Sequence, residues 1–157
     1  MAQTMSARNA PSSKMAECFI IIDGNRYNFM SAINVEVNFE KNKVEVPILG
    51  RMNKGHKSAG SSITGSGEFH KNTSIWNKIA YRFQETGEDV YFDMQITNYD
   101  PTTAIGRQTI MLYDCNFDSI TLAAFDADSD DVLTESLDFT AERFEMPDEY
   151  NLMDGVL

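Results

Sequence analysis

The residues of this chain that could do chemistry are few, and their spacing does not favour it. His56 and His70 flank a stretch that reads as a strand and share no metal-ligand spacing, so both are expected to be surface histidines. Gly65-Ser66-Gly67 lacks the flanking pattern of a nucleophile elbow and the lysine of a phosphate loop. Its serine reads as part of a small-residue strand. Asp126-Ala127-Asp128-Ser129-Asp130-Asp131 opens like a calcium loop. However, Asp131 stands where the sharp turn needs glycine, and Leu137 stands where the bidentate glutamate belongs. A solvated hairpin tip is the favoured reading, with weak calcium binding as the alternative. Cys18 and Cys115, the only cysteines, sit at predicted strand edges beside Phe19 and Phe117. They are expected to be reduced thiols buried as small hydrophobes, with a single disulfide left open. No nucleophile or acid/base pair can be named, so no catalytic residue, cofactor or metal is assigned and an enzyme is the least supported class.

Charge is the stronger signal. Between Lys41 and Arg82 there are eight basic residues and two acidic ones. From Asp114 to Leu157 there are thirteen acidic residues and one basic residue, Arg143. Two complementary regions on one molecule attract copies head to tail, the contact that closes into rings or runs on as filaments. Two solvated faces of a monomer are the alternative. The net charge of −11 argues against a protein that coats nucleic acid, although an acidic surface can border DNA if its task is to repel it. At 157 residues the chain suits one domain with a sizeable core. No apolar run approaches the ~18 residues that span a bilayer.

The elements that would carry these charges are mostly strands. Residues 1–16 are polar and read as a flexible N-terminal arm, disordered until bound and neither signal nor anchor. The single domain is expected over 17–146, followed by an acidic, mobile tail over 147–157. Asp23-Gly24 between two extended runs predicts a hairpin. Residues 33–39, 61–69 and 133–144 alternate with period two, each with one polar face. Glu135 interrupts the inward face of the third, which otherwise carries Leu133, Leu137, Phe139 and Ala141. Residues 41–60 have no usable period and read as a long basic loop. Gly65 and Gly67 share a facing, which implies that something packs closely there. Residues 73–86 form an amphipathic helix with Trp76, Ile79, Ala80 and Phe83 inward and Lys78 and Arg82 outward, stopped by Gly87. Residues 90–99, 107–113 and 116–125 read as three more strands. The fold class is mainly β: an antiparallel sandwich or barrel with one amphipathic helix packed outside. The three polar faces are the wet side of a monomer or the lining of a wide lumen, and pattern alone leaves both open.

The run Gly106-Arg107-Gln108-Thr109-Ile110-Met111-Leu112-Tyr113-Asp114-Cys115-Asn116-Phe117, continuing to Phe125-Asp126-Ala127-Asp128, resembles the C-terminal half of tail tube proteins of contractile phages. The likeness is to the type found in PBSX-like defective prophages and phage-tail-like bacteriocins. Leu137-Asp138-Phe139-Thr140, Phe144-Glu145-Met146-Pro147 and the start from Met15 to Asn28 fit the same family, so nearly the whole chain is covered. The resemblance implies a β-barrel-like, ring-forming subunit: six copies per ring with their sheets joined, and rings stacked into a hollow tube inside a contractile sheath. It implies self-contacts, sheath, baseplate and tail-terminator partners, and DNA as passing cargo in a phage. Assembly would occur in the bacterial host cytoplasm, the product being a virion or tail-like particle. On this view Lys41, Lys43, Arg51, Lys54, Lys57, Asp126, Asp128, Asp130 and Asp131 are expected at subunit and stacking contacts. Asn34, Glu36, Asn38, Ser62, Thr64, Ser66, Glu68, Asp138, Thr140 and Glu142 are expected to face the lumen. The alternatives are a type VI-like secreted hexameric carrier ring, marked by stable rings that do not polymerise, and a monomeric calcium- or ligand-binding β-domain.

Overall fold

The computed structural model describes residues 5–153. After a 3-10 turn at Ala7–Asn9 the order is β1 (Ala16–Ile22), β2 (Asn25–Asn28), β3 (Ala32–Val46), β4 (Gly55–His70), α1 (Ile75–Thr86), β5 (Phe92–Tyr99), β6 (Arg107–Ile120), β7 (Thr134–Ala141) and β8 (Arg143–Asp148). All pairings are antiparallel. The strands run β2-β1-β5-β6-β7-β4-β3, with β8 also on β6. The β1–β2 hairpin turns at Asp23 and Gly24, with φ of 51° and 79°, the backbone that an Asp-Gly turn supplies.

Residues 107–113 and 116–125, expected as two strands, instead share one long strand, β6, which ends at Ile120 and serves two sheets. The first part of β6 pairs β5 on one side and β8 on the other, and Asn116 to Ile120 pair β7. The change occurs at Asp114, whose φ is 52° and whose amide donates to Asp93 Oδ1 at 3.1 Å. A left-handed residue inside a strand bends it without ending it.

Aromatic rings fill the space between the sheets. Phe69, Trp76, Phe92 and Phe139 are buried and meet edge-on or tilted, with Trp76–Phe92 centroids at 5.3 Å and Phe92–Phe139 at 6.2 Å. Helix α1 contributes Trp76 and Ile79 to this core and ends at Gly87, whose left-handed amide bonds Phe83 O at 2.8 Å. It begins at Ile75, two residues later than expected, with Thr73 Oγ1 accepting from the Ile75 amide. Phe83, expected inward, is 48% exposed, because the last turn of the helix extends past the core. Leu133 is likewise 47% exposed, since it precedes β7.

Gly65 explains how the core closes. A Cβ there would lie 2.4 Å from the Phe139 ring, which packs flat against the bare backbone. Phe139 is held by Phe92 and has no room to retreat. Gly65→Ala is therefore expected to cost about 1–3 kcal/mol as overpacking. A thermal melt indistinguishable from the unaltered protein would refute this.

Three expectations about the chain's periphery are corrected. The presumed loop 41–60 is mostly strand: β3 and β4 pair from Ala32↔Phe69 out to Val46↔Gly55, leaving a turn of residues 47–54. The N-terminal arm, from residue 5 onward, lies on the body. The Ser12 amide donates to Asp100 Oδ2 (3.0 Å), the Tyr99 amide to Met15 O (3.1 Å) and the Ala104 amide to Asn9 Oδ1 (3.4 Å). The tail is also placed as far as residue 153. Thr109 Oγ1 donates to Asp148 Oδ2 (2.9 Å) within β6–β8, and the Asn151 amide donates to Ile105 O (2.7 Å). Residues 1–4 and 154–157 lie outside the described residues.

The Asp100 carboxylate gathers the arm. It accepts from the Thr102 hydroxyl and amide and from the Ser12 amide, and these hydrogen bonds hold its pKa below the ordinary carboxylate value. A depressed folded pKa contributes stability that is present above the unfolded value, about 3.9, and lost as pH falls through the lower folded value. The Ser12 amide proton is therefore expected to keep its hydrogen-bonded NMR shift down to pH 4. It should move only below that, and lose the shift at all pH values in Asp100→Ala. A midpoint at or above the ordinary carboxylate value would refute the anchor.

Candidate assembly interface

The expected lumen residues come together on one surface. Strand register aligns them in rows: Asn38–Thr64–Thr140–Asn116, then Glu36–Ser66–Asp138–Ser119, then Asn34–Glu68–Ser136. Ser62 continues the pattern opposite Glu40, and Glu142 lies at the break between β7 and β8, beside Ser62 and Thr140. The opposite side of the same strands carries Ile63, Phe69, Leu137, Phe139 and Ala141, all buried. Within the face, Asn34 Nδ2 donates to Glu68 Oε2 (3.3 Å), Asn38 Nδ2 to Glu36 Oε1 (3.5 Å) and Ser119 Oγ to Asp138 Oδ2 (2.9 Å). No Lys or Arg occurs in these rows. Asn116 and Ser119 were missed from sequence, because the bend at Asp114 hides which side of β6 they occupy.

The charged candidates lie at the two ends of β4. Its Gly55 end carries the hairpin with Lys41, Lys43, Arg51, Lys54 and Lys57, all exposed. Its other end, His70, pairs with Thr134, the first residue of β7, which follows the acidic segment. At about 3.3 Å per residue the two poles are roughly 50 Å apart. The hairpin also overhangs: β4 pairs β7 only from Ile63 onward, leaving about 25 Å of two-stranded ribbon beyond the body. Lys54 pairs Glu45 at 3.3 Å. In the acidic segment Asp126 Oδ1 accepts from the Asp128 amide and Ser129 Oγ from the Asp131 amide, a turn held by its own side chains.

The neck of the acidic loop holds a polar cluster that sequence reasoning left unpartnered. Glu135 on the core face is ion-paired with Lys71, whose Nζ also donates to Asn77 Oδ1 (3.0 Å). Asn77 Nδ2 donates to Leu122 O (3.0 Å), and the Lys71 amide donates to Leu133 O (3.1 Å). One end of the loop is thus fastened to α1 through Asn77 and the other to Lys71, just before the helix. An acid on an apolar strand face is the signal that a cation had to be found.

The residues that could do chemistry are scattered. His56 and His70 lie near opposite ends of β4. Among the described residues no three His, Cys, Asp or Glu side chains converge on one point, and no helix is long and apolar enough to cross a membrane. Burial pushes the Cys18 thiol up to about 12; burial, aided by Asp93 and Asp114, does the same for Cys115. The thiols are two strands and several residues apart (Cys18 lies opposite Ile96, Cys115 opposite Phe92), too far for a disulfide.

The sheet thus has one apolar face and one cation-free polar face, with clusters of opposite charge at its two ends. Comparison with known proteins decides the family. Residues 3–148 match the family model described as phage tail tube protein. The chain belongs to the phage tail tube family. Among relatives of this tail tube protein is the phage-like element PBSX protein XkdM of Bacillus subtilis (strain 168). It is 37% identical over 144 residues, covering 92% of this chain and 95% of XkdM. Two solved structures share the fold at low identity. The sheath-tube complex of an extracellular contractile injection system, PVC, has a TM-score of 0.60 at 16% identity, covering 82% of this chain and 86% of the other. The SPP1 tail tube has a TM-score of 0.62 at 7% identity, covering 92% and 81%. As a tail tube protein, the chain is a structural subunit of a phage or phage-like tail.

Proposed function

We propose that six copies close into a ring with the polar rows facing the bore, and that rings stack into a tube for passage of DNA or for membrane puncture. The observation that carries this reading is the cation-free polar face, continuous over β3, β4, β7 and the end of β6. Its two edges are open in the subunit: β3 ends the strand order, and Asn116 to Ile120 pair only β7 among the described residues. An open edge of 15 residues invites strand addition, and a neighbour's β6 edge would satisfy it while extending the face around a ring. The helix α1 and its exposed Tyr81 and Phe83 then lie outside, where a contractile sheath would meet them. Baseplate and terminator proteins would cap the two charged poles, with assembly in the host cytoplasm. The role is structural, with no catalysis and no cofactor.

Electron microscopy of the purified protein should show annuli and tubes. Ser62→Cys and Ser66→Cys place exposed thiols on the polar face, beside two native thiols whose burial disfavours the thiolate; the protein without these changes gives the background labelling. In assembled tubes the introduced thiols should react with small reagents and resist bulky ones. Full reaction with bulky reagents would place these rows outside and overturn the reading. A ring that never stacks would favour the type VI-like carrier.

A further inference from the structure

We propose that the tip of the β3–β4 hairpin of one copy seats against the neck of the acidic loop, residues 121–134, of a second copy in the next ring. This rests on the tube reading and names the two surfaces that hold successive rings together. Each surface is incomplete alone. The tip exposes Leu49 and Met52 fully, at 103% and 100%, with Arg51 between them and Lys54 and Lys57 just behind. The loop exposes Phe125 at 94%, together with Leu122 and Val132, around Asp126, Asp128, Asp130 and Asp131. Solvated charge alone would not require bare leucine, methionine and phenylalanine at both poles. An apolar centre rimmed by opposite charge on each side is the composition of a contact.

The loop also has a receptor. A pocket of about 200 Å³ opens at its neck, lined by Leu122, Ala123, Ala124 and Leu133 above Lys71 and Glu135. One Glu135 oxygen, Oε1, is buried without a partner. The pocket therefore offers apolar walls for Leu49 or Met52 and a buried acceptor for a donor carried in beside them, such as Arg51. The fastening of both loop ends by Lys71 and Asn77 keeps this receptor in place before any partner arrives. Tip and pocket lie at opposite ends of β4, so they cannot meet within one chain. Only a second copy displaced along the strand direction can bring them together, and repetition of that contact builds a tube.

Two experiments test this. In Leu49→Cys/Leu122→Cys, mild oxidation of assembled protein should give a ladder extending beyond six subunits on non-reducing gels, since any such link joins different copies. In the second, Arg51→Glu/Lys57→Glu and, separately, Asp126→Lys/Asp128→Lys should each retain rings by native mass spectrometry and lose tubes. The chain carrying all four changes should regain tubes. Tubes that form normally from either single reversal, or that oxidise without a ladder, would overturn this contact while leaving the ring intact. Failure of the combined chain to stack would overturn it as well. Wild-type protein that forms neither ring nor tube would overturn both this contact and the proposed function.

Discussion

Lys71→Met is expected to lower stability by about 3 kcal/mol, a loss of roughly 6–12 °C in Tm for a domain of this size. Glu135 is 1% exposed in its side chain and Lys71 17%. Removing the cation leaves a carboxylate within the core face with no charge to balance it, and one of its oxygens already lacks a partner. The cost belongs mainly to the stranded partner, because buried pairs are worth much less than the penalty for breaking them. Lys71→Met/Glu135→Met should therefore recover most of the loss. Losing Lys71 also removes the Nζ bond to Asn77 Oδ1, and the nitrogen of that same amide donates to Leu122 O. Faster amide exchange in residues 121–134 should accompany the lower Tm in the single variant. A double variant as unstable as Lys71→Met, or more so, would show that the pair is worth more than its isolated charges. The stranded carboxylate would then not be the source of the loss.

Sequence carried the fold furthest where a strand separates water from core. In β3, β4 and β7 each residue has a dry or wet side, and the period of two survives in the letters. The helix and the Asp23-Gly24 turn were legible for similarly local reasons, a 3.6-residue stripe and a backbone that few residues adopt. The outer half of the β3–β4 hairpin was not. From residue 41 to residue 60 the two strands pair only with each other, beyond the reach of β7, and water wets both faces. With no core to face, alternation has no meaning, and lysines, glycines and serines read as a loop. The bend at Asp114 was invisible for another reason: its cause is a pairing change between strands far apart in the chain. The assembly surfaces divide in the same way. The polar positions of β3, β4 and β7 could be named from the alternation, whereas Asn116 and Ser119 of β6 could not. That the two charge clusters lie at opposite ends of one strand required the register, and their bare apolar side chains, Leu49, Met52 and Phe125, had no sequence signal beyond composition.

Glu36→Lys/Glu68→Lys should leave folding and tube assembly nearly unchanged and impair DNA delivery by an order of magnitude or more in particles that carry DNA. Both side chains lie on the polar face, where their contacts are exposed and long: Asn38 to Glu36 at 3.5 Å and Asn34 to Glu68 at 3.3 Å. Exposed hydrogen bonds of this kind contribute little, so charge reversal costs the fold less than about 1 kcal/mol. In a bore the consequence is different. The native rows offer hydroxyls, amides and carboxylates, none of which holds a phosphate by charge. Two lysines per subunit, repeated around and along the tube, would each be able to bind a phosphate and displace its counterion. A chain in transit would then have to break many such contacts at once. Delivery by the variant should improve as salt rises, because screening and counterion competition weaken every contact together. Glu36→Gln/Glu68→Gln removes the same negative charges without adding cations, and should deliver DNA far better than the lysine variant. If lysine-bearing tubes assemble normally and pass DNA at the native rate in low salt, the polar face does not line the path.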